Sequence, residues 1–308
     1  MDHVLEMRKY FVKETKAPIP TLQSPFFEYY LHLYENRLGL ETKYNEFLTK
    51  FSNMDYRNKF YTTLDTLIAD MKHGNLIYQG FITADMSSYD NPYTPLHSCK
   101  KLYKSTNAHK KFISLDFITA NFYACKQYDS NFFGPATTYS EWLIVAHPDG
   151  KHFSESKNFR QILFGNLNTK RQQKIERYYL GLLLEKIHTR YNLDELEVTI
   201  LSADECIFPY SEQLERAIDD VLSEWEADAT LAFKIRKEIF TLNPTILSSA
   251  YVRSMDNGED KFFCAPKHQF AQVYKRYYGL EIDMNHDLVF EHEGILVRYM
   301  EPLPLDES

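Results

Sequence analysis

The chain has 308 residues, 44% hydrophobic and 25% charged, a composition that fits a soluble globular protein burying a large core as one or two domains. A formal charge of −8 and a pI near 5.8 argue against a free-standing nucleic-acid binder. Four widely spaced cysteines, Cys99, Cys125, Cys206 and Cys264, argue against a disulfide framework or a structural zinc site.

In chain order, the first hundred residues predict mostly helix. Phe26–Leu38 forms an aromatic-rich helix between Pro25 and Gly39. Phe60, Leu64, Leu67, Ile68 and Met71 repeat at helical spacing, with Gly74 as the stop. Leu76–Ile82 predicts a strand interrupted by Gly80, and Met86–Pro95 is turn chemistry. Phe112–Asp116 predicts a short buried strand, with Ile118–Lys126 turning into helix. Asn131–Pro135 is a loop, Glu141–Ala146 a short apolar element and Pro148-Asp149-Gly150 a turn. Ser156–Arg160 opens a helical stretch. Lys170–Thr189 is the strongest helical pattern: Ile175, Tyr179, Leu182, Leu183 and Ile187 line one face, and Lys174, Arg177 and Lys186 the other.

Leu196–Leu201 and Cys206–Tyr210 predict two strands around Ser202–Glu205, a hairpin with an acidic tip. Glu212–Glu226 predicts a helix capped by Ser211. Tyr251–Arg253 and Lys261–Ala265 flank Asp256-Asn257-Gly258, a hairpin turn. Gln269–Tyr278 predicts a helix, and Leu288–Phe290 with Ile295–Tyr299 a further hairpin around His292–Gly294. No internal repeat and no low-complexity tract is present.

Charge is unevenly distributed. Cys99 to Arg190 carries 15 Lys and Arg against 7 Asp and Glu, so the rest of the chain is strongly acidic. A basic middle between acidic arms fits a local phosphate track, or equally a set of solvated helix faces. The N-terminus lacks the continuous apolar core of a secretory leader, and no apolar run approaches the ~20 residues of a membrane span. A cytoplasmic, intracellular protein with no membrane partner is therefore expected.

Three stretches carry the chemistry: Phe112–Phe122 (FISLDFITANF), Lys157–Arg171 (KNFRQILFGNLNTKR) and Val198–Phe208 (VTILSADECIF). The first and third each set acids at the end of a β-rich run, Asp116 in one and Asp204-Glu205 in the other. The second is a basic helix start with an embedded Phe164-Gly165. In-line phosphoryl transfer with two metals needs carboxylates from separate strands and basic groups opposite them. Taken singly, Asp116 reads as a helix N-cap, Asp204-Glu205 as a solvated turn, Arg160 as a helix-face partner of Glu155, and Phe164 as a packed ring.

In this order the stretches resemble the signature motifs of family A DNA polymerases, over roughly Tyr103 to Trp225. The resemblance implies that Asp116 and Asp204 hold Mg²⁺ or Mn²⁺, with Glu205 beside them in a catalytic set. It implies that Arg160, which precedes Phe164-Gly165 at the family's spacing, meets a nucleoside triphosphate together with Lys157. Phe164 is then expected to stack on the nascent base pair, and Lys170, Arg171 and Lys174 to follow the nucleic-acid backbone. Ala203 stands where the family has His. Asn121 stands where it has the Glu that guards against ribonucleotides, and Asn168 lies near the place of its Tyr.

The expected fold is α+β, with an antiparallel polymerase-palm-like sheet. Residues 1–98 are expected to form a mainly helical region in the place of a thumb. Residues 99–230 would form the palm-like core with reduced fingers, and 231–308 an α+β appendage. The expected function is metal-dependent nucleotidyl transfer by a minimal DNA polymerase of viral or phage type. Its partners would be nucleic acid, nucleoside triphosphates and an accessory protein subunit. A non-catalytic palm that binds nucleic acid or scaffolds a complex is the alternative, and Asn121 motivates an RNA-synthesising relative as a third reading. His286-Asp287 with Glu291-His292-Glu293 lacks HExxH spacing, and no P-loop, GxGxxG or GxSxG is present.

Overall fold

A computed structural model describes residues 3–51, 55–90, 99–191 and 198–304. Parts of two expected elements, residues 91–95 and 196–197, lie outside them. The chain begins with helices α1 (His3–Thr15), α2 (Phe26–Leu33), α3 (Glu35–Leu38), α4 (Leu40–Phe51), α5 (Tyr56–Ala69) and α6 (Leu76–Thr83). Strands β1 (Cys99–Lys100) and β2 (Lys111–Ile118) follow. Next come α7 (Ala120–Tyr128), α8 (Tyr139–Ala146), α9 (Gly150–Phe153), α10 (Lys157–Gly165) and α11 (Thr169–Tyr191). Then come β3 (Ile200–Leu201), β4 (Glu205–Pro209), α12 (Glu212–Ala227), β5 (Lys234–Pro244), β6 (Tyr251–Met255) and β7 (Asp260–Phe263). Helix α13 (Phe270–Tyr277) and strands β8 (Val289–His292) and β9 (Ile295–Arg298) complete the described chain. The fold is α+β, and its strands pair antiparallel. Among the described residues, no helix is long and apolar enough to cross a membrane.

The chain forms two compact units, each drawing on more than one of the three expected segments. The first gathers Met1–Met54, Tyr103–Lys110 and Phe240–Ser308; the second gathers Asp55–Leu102 and Lys111–Ile239. In the first unit, α1, α2 and α4 share an aromatic core in which Tyr44 meets Phe11 at 4.9 Å and Phe27 at 5.1 Å. The Tyr30 hydroxyl donates to the carbonyls of His286 and Val289, and Lys275 forms a buried ion pair with Asp287 at 2.8 Å. Tyr29 closes that pair by donating to Asp287. Tyr29, Lys275 and Asp287 are thus partnered with one another, which is the condition for burying such groups at modest cost.

In the second unit the strand order is β1-β3-β4-β2, followed by the first part of β5. One face of this sheet is covered by α11 and α12. Phe117 of β2 stacks on Phe233 at 4.5 Å, beside Trp225 of α12 and Tyr179 of α11. From β5, Lys237 reaches Glu215 and Asp219 of α12. Helix α12 has the Ser211 cap expected from the sequence, its hydroxyl accepting from the Leu214 N–H. At the first position of α9, Gly150 is required for space: a Cβ there would lie 1.9 Å from the Leu143 carbonyl oxygen.

Three local expectations are corrected. Leu76–Ile82 is helix, not strand. Asn75 caps it by accepting from the Tyr78 N–H, and Gly80 lies inside it facing Tyr128. Phe26–Leu38 is two helices, because the backbone leaves helical geometry at Tyr34 (φ −96°, ψ 3°), whose ring is buried against Phe270 and Tyr274. Phe112–Asp116 belongs to a longer strand, β2. The eleven-residue β5 has no counterpart among the expected elements.

Candidate functional site

The antiparallel register of β2 and β4 sets Asp116 directly opposite Glu205, so both side chains leave the same face of the sheet. This is the face away from α11 and α12. Ser114, two residues back on β2, shares it and donates to Glu205 at 3.0 Å. Asp204 sits in the turn just before β4, where its carbonyl accepts from the Phe117 N–H at 2.9 Å. Its carboxylate accepts from Ser202 at 3.0 Å, which fixes the acidic tip. The two acids of the first and third stretches are thus carried by neighbouring strands. By register it is Glu205, rather than Asp204, that shares the pleat with Asp116.

Asp116 is half-buried, and its ion-pair partner comes from a strand far along the chain. Arg236 of β5 donates to Asp116 Oδ2 at 2.6 Å and lies 3.5 Å from Glu238. Burial pushes the Asp116 carboxyl above the usual Asp range. Arg236 opposes this, while the charges of Asp204 and Glu205 add to it. Asp116 does not act as a helix cap, since Thr119 occupies the N-cap position of α7.

Arg160 does not pair with Glu155. Its guanidinium lies 5.7 Å from the centre of the Tyr139 ring, close enough to Asp116 for their charges to interact. Burial holds its pKa below the ordinary Arg value, the direction expected of a cation partly withdrawn from water. Lys157, at the start of α10, and Lys170, at the start of α11, are exposed. Arg171 and Lys174 are engaged elsewhere: Arg171 donates to the Ala84 carbonyl at 2.8 Å, and Lys174 pairs with Asp90 at 2.7 Å. Each would have to exchange a protein partner for a phosphate.

Phe164 is corrected from a base-stacking residue to a core residue. It is 1% exposed, edge-on to Phe133 and tilted against Tyr139, and offers no open ring face. Phe164→Ala is therefore expected to destabilise the fold by about 3–5 kcal/mol. Urea unfolding would show that loss, while nucleotide affinity of the folded fraction stays unchanged.

Asn121 is also committed. Its amide donates to Gln172 and to Glu176 of α11, both at 3.2 Å. Gln172 in turn donates to the carbonyls of Phe164 and Leu167. A polar chain therefore runs from the end of α10 through Gln172 and Asn121 to Glu176. Glu176 is 3% exposed, and its pKa is raised to about 8, mainly by burial and further by the charge of Asp204. The sequence held a sign of it: Gln172 and Glu176 head an i, i+4 row that continues as Leu180 and Leu184, all buried. Arg236 left no comparable sign, because its role depends on a neighbouring strand.

Among the described residues, no group of three or more His, Cys, Asp or Glu side chains is gathered closely enough to hold a metal ion. The donor chemistry at Asp116, Asp204 and Glu205 nevertheless fits Mg²⁺ or Mn²⁺. The donors are all hard oxygens, and Mg²⁺ commonly takes only one or two carboxylates beside substrate phosphates. A cation would also offset the burial, and the repulsion from Asp204 and Glu205, that raise the Asp116 carboxyl. No family model, curated protein or solved structure matches the chain.

Proposed function

We propose that the chain is a metal-dependent nucleotidyltransferase built on a minimal, family A-like polymerase palm. The observation that carries this reading is the cross-strand pairing of Asp116 with Glu205, with Asp204 at the adjoining turn and Arg160 within electrostatic reach of Asp116. A sheet with helices on one face and acids on the other suits an extended polyanionic substrate held by metal and basic side chains. Asp116 and Asp204 would hold Mg²⁺ or Mn²⁺, which supplies charge neutralisation at the transferring phosphoryl group. Arg160 and Lys157 would bind the triphosphate, and Lys170 the backbone of the nucleic acid. Arg171 and Lys174 join Lys170 only by leaving Ala84 and Asp90.

The test is primer extension with Mg²⁺ or Mn²⁺, offering ribo- and deoxyribonucleotides separately. Extension is expected with both sugars at comparable rates, because Asn121, held by Gln172 and Glu176, is uncharged and too short to crowd the 2′-hydroxyl as an acidic gate would. Strong preference for deoxyribonucleotides would remove Asn121 from that role. A second reading rests on Arg236, whose guanidinium already takes the Asp116 carboxylate. On that reading the chain is a non-catalytic palm that binds nucleic acid or scaffolds a complex. Retained oligonucleotide binding without extension under either metal would favour it.

A further inference from the structure

The β8–β9 hairpin of the first unit stands out by its exposure. Ile295, Leu296, Val297 and Met300 are 68%, 36%, 38% and 92% exposed, and all four residues of β9 lie open on both faces. Among the described residues the sheet contains β8 and β9 alone, which leaves the β9 edge bare of them. Which backbone groups point outward follows from the turn. Glu293 and Gly294 have φ of 51° and 81°, the two-residue turn whose flanking pair, His292 and Ile295, is hydrogen-bonded. Alternation then turns the N–H and C=O groups of Leu296 and Arg298 away from β8. Two bonds agree with this phase: Tyr299 N–H donates inward to Leu288, and Glu291 N–H donates outward from β8 to Pro20. No described residue bonds the outward groups of Leu296 or Arg298.

We propose that the β9 edge is a docking site for an extended segment of another protein, apolar at its centre and basic at both ends. The bare backbone groups call for a strand, since only a strand meets alternating donors and acceptors in step. Charge selects its kind. From Leu280 to Pro304 the sequence has six acids against one Lys or Arg, namely Arg298. Asp287 pairs with Lys275, Asp283 bonds His286 and Glu291 accepts from Thr21. Exposed Glu281, Glu293 and Glu301 have no ion-pair partner among the described residues. Lys9 and Lys267 share a hollow with Glu291 and Glu293 on the β8 side without pairing to either. Arg298 is turned to the Met284 carbonyl. Glu293, in the turn, and Glu301, in the bend beyond β9, lie at the two ends of the strand.

The same charges disfavour a second copy of this chain. Pairing Leu296 with a copy's Leu296 carries the Glu301 end of each chain past the other's turn at Glu293. Pairing Leu296 with a copy's Arg298 sets Glu293 against the copy's Glu301. Like charges directly opposite destabilise a strand pair.

The probe is a labelled twelve-residue peptide of alternating Val and Thr with Lys at both ends, read by fluorescence anisotropy against the full chain. Binding is expected at low salt and should weaken as salt rises. N-methylation of alternate peptide bonds, which leaves the protein untouched, should cut affinity tenfold or more, an energy of about 1.4 kcal/mol. The paired substitution Glu293→Lys with Glu301→Lys should do the same. Leu296→Pro should also block binding while sparing the hairpin, because the N–H it removes points outward. The proposal is overturned if no peptide binds, if a Glu-ended peptide binds equally well, or if N-methylation has no effect. Self-association that Leu296→Pro abolishes, without peptide binding, would assign the edge to a second copy instead.

Discussion

Asp116→Asn is expected to lower nucleotide transfer by about a hundredfold to a thousandfold, the scale seen when one group that stabilises charge at a reacting centre is removed. Asn keeps the shape and one acceptor oxygen, so the hydrogen bond from Arg236 can persist. The ion pair with Arg236 is only partly shielded and is worth no more than about 1 kcal/mol. Removing the charge also ends the repulsion from Asp204 and Glu205. Thermal unfolding should therefore move by only a few degrees, which separates lost chemistry from lost fold. A variant that extends primers at the unmodified rate would sink the palm reading. Arg236→Gln supplies the converse. If Arg236 merely shields Asp116 until substrate arrives, its removal should leave transfer intact or raise it at low metal concentration. Loss of transfer on Arg236→Gln, with the fold preserved, would make Arg236 part of the machinery.

Much of the scaffold of this site was legible in local sequence. Ser211, a polar residue before an amphipathic run, marks the start of α12. Asp256-Asn257-Gly258 marks the β6–β7 turn, because a tight hairpin needs positive φ and glycine tolerates it. The paired acids were visible because a short apolar strand ending in Asp, and another opening at Asp-Glu, are uncommon arrangements. Partners on distant strands were not legible. Lys234–Pro244 mixes Lys, Arg and Glu with Ile, Phe and Leu, and its burial is uneven because one part contacts α12 while another shares the face of Asp116. Arg236 acquires its role only from the position of β2. The misread helix α6 shows a different limit. LIYQGFIT is too short and too uniformly apolar for periodicity to decide, and the deciding residue, Asn75, lies just outside the run. Phe164 shows a third. An aromatic-Gly pair at a family's spacing carries no information on whether the ring is open, and Phe133 and Tyr139 close it here.

Glu176→Gln is expected to change the pH dependence of stability more than any other single substitution near the site. Below the unfolded carboxyl value of 4.5, both folded and unfolded chains carry the proton on Glu176. Between that value and about 8 the folded chain keeps it and the unfolded chain releases it. The unfolded state then binds fewer protons, so stability falls as pH rises through this window, by at most about 1.4 kcal/mol per pH unit. Urea unfolding at pH 5, 6.5, 8 and 9 should show that decline in the unmodified protein. The substituted amide would still accept from Asn121 and carries no charge to bury, so the decline should flatten. The variant should match the original near pH 5 and exceed it by a few kcal/mol at pH 9. Parallel profiles for the two proteins would show that Glu176 titrates like an ordinary surface carboxylate and that the buried polar chain through Asn121 is drawn wrongly. Because the charge of Asp204 helps raise Glu176, Asp204→Asn should narrow the window from its upper end. A double substitution that adds nothing to Glu176→Gln at high pH would show that the two acids are electrostatically coupled across the sheet and α11.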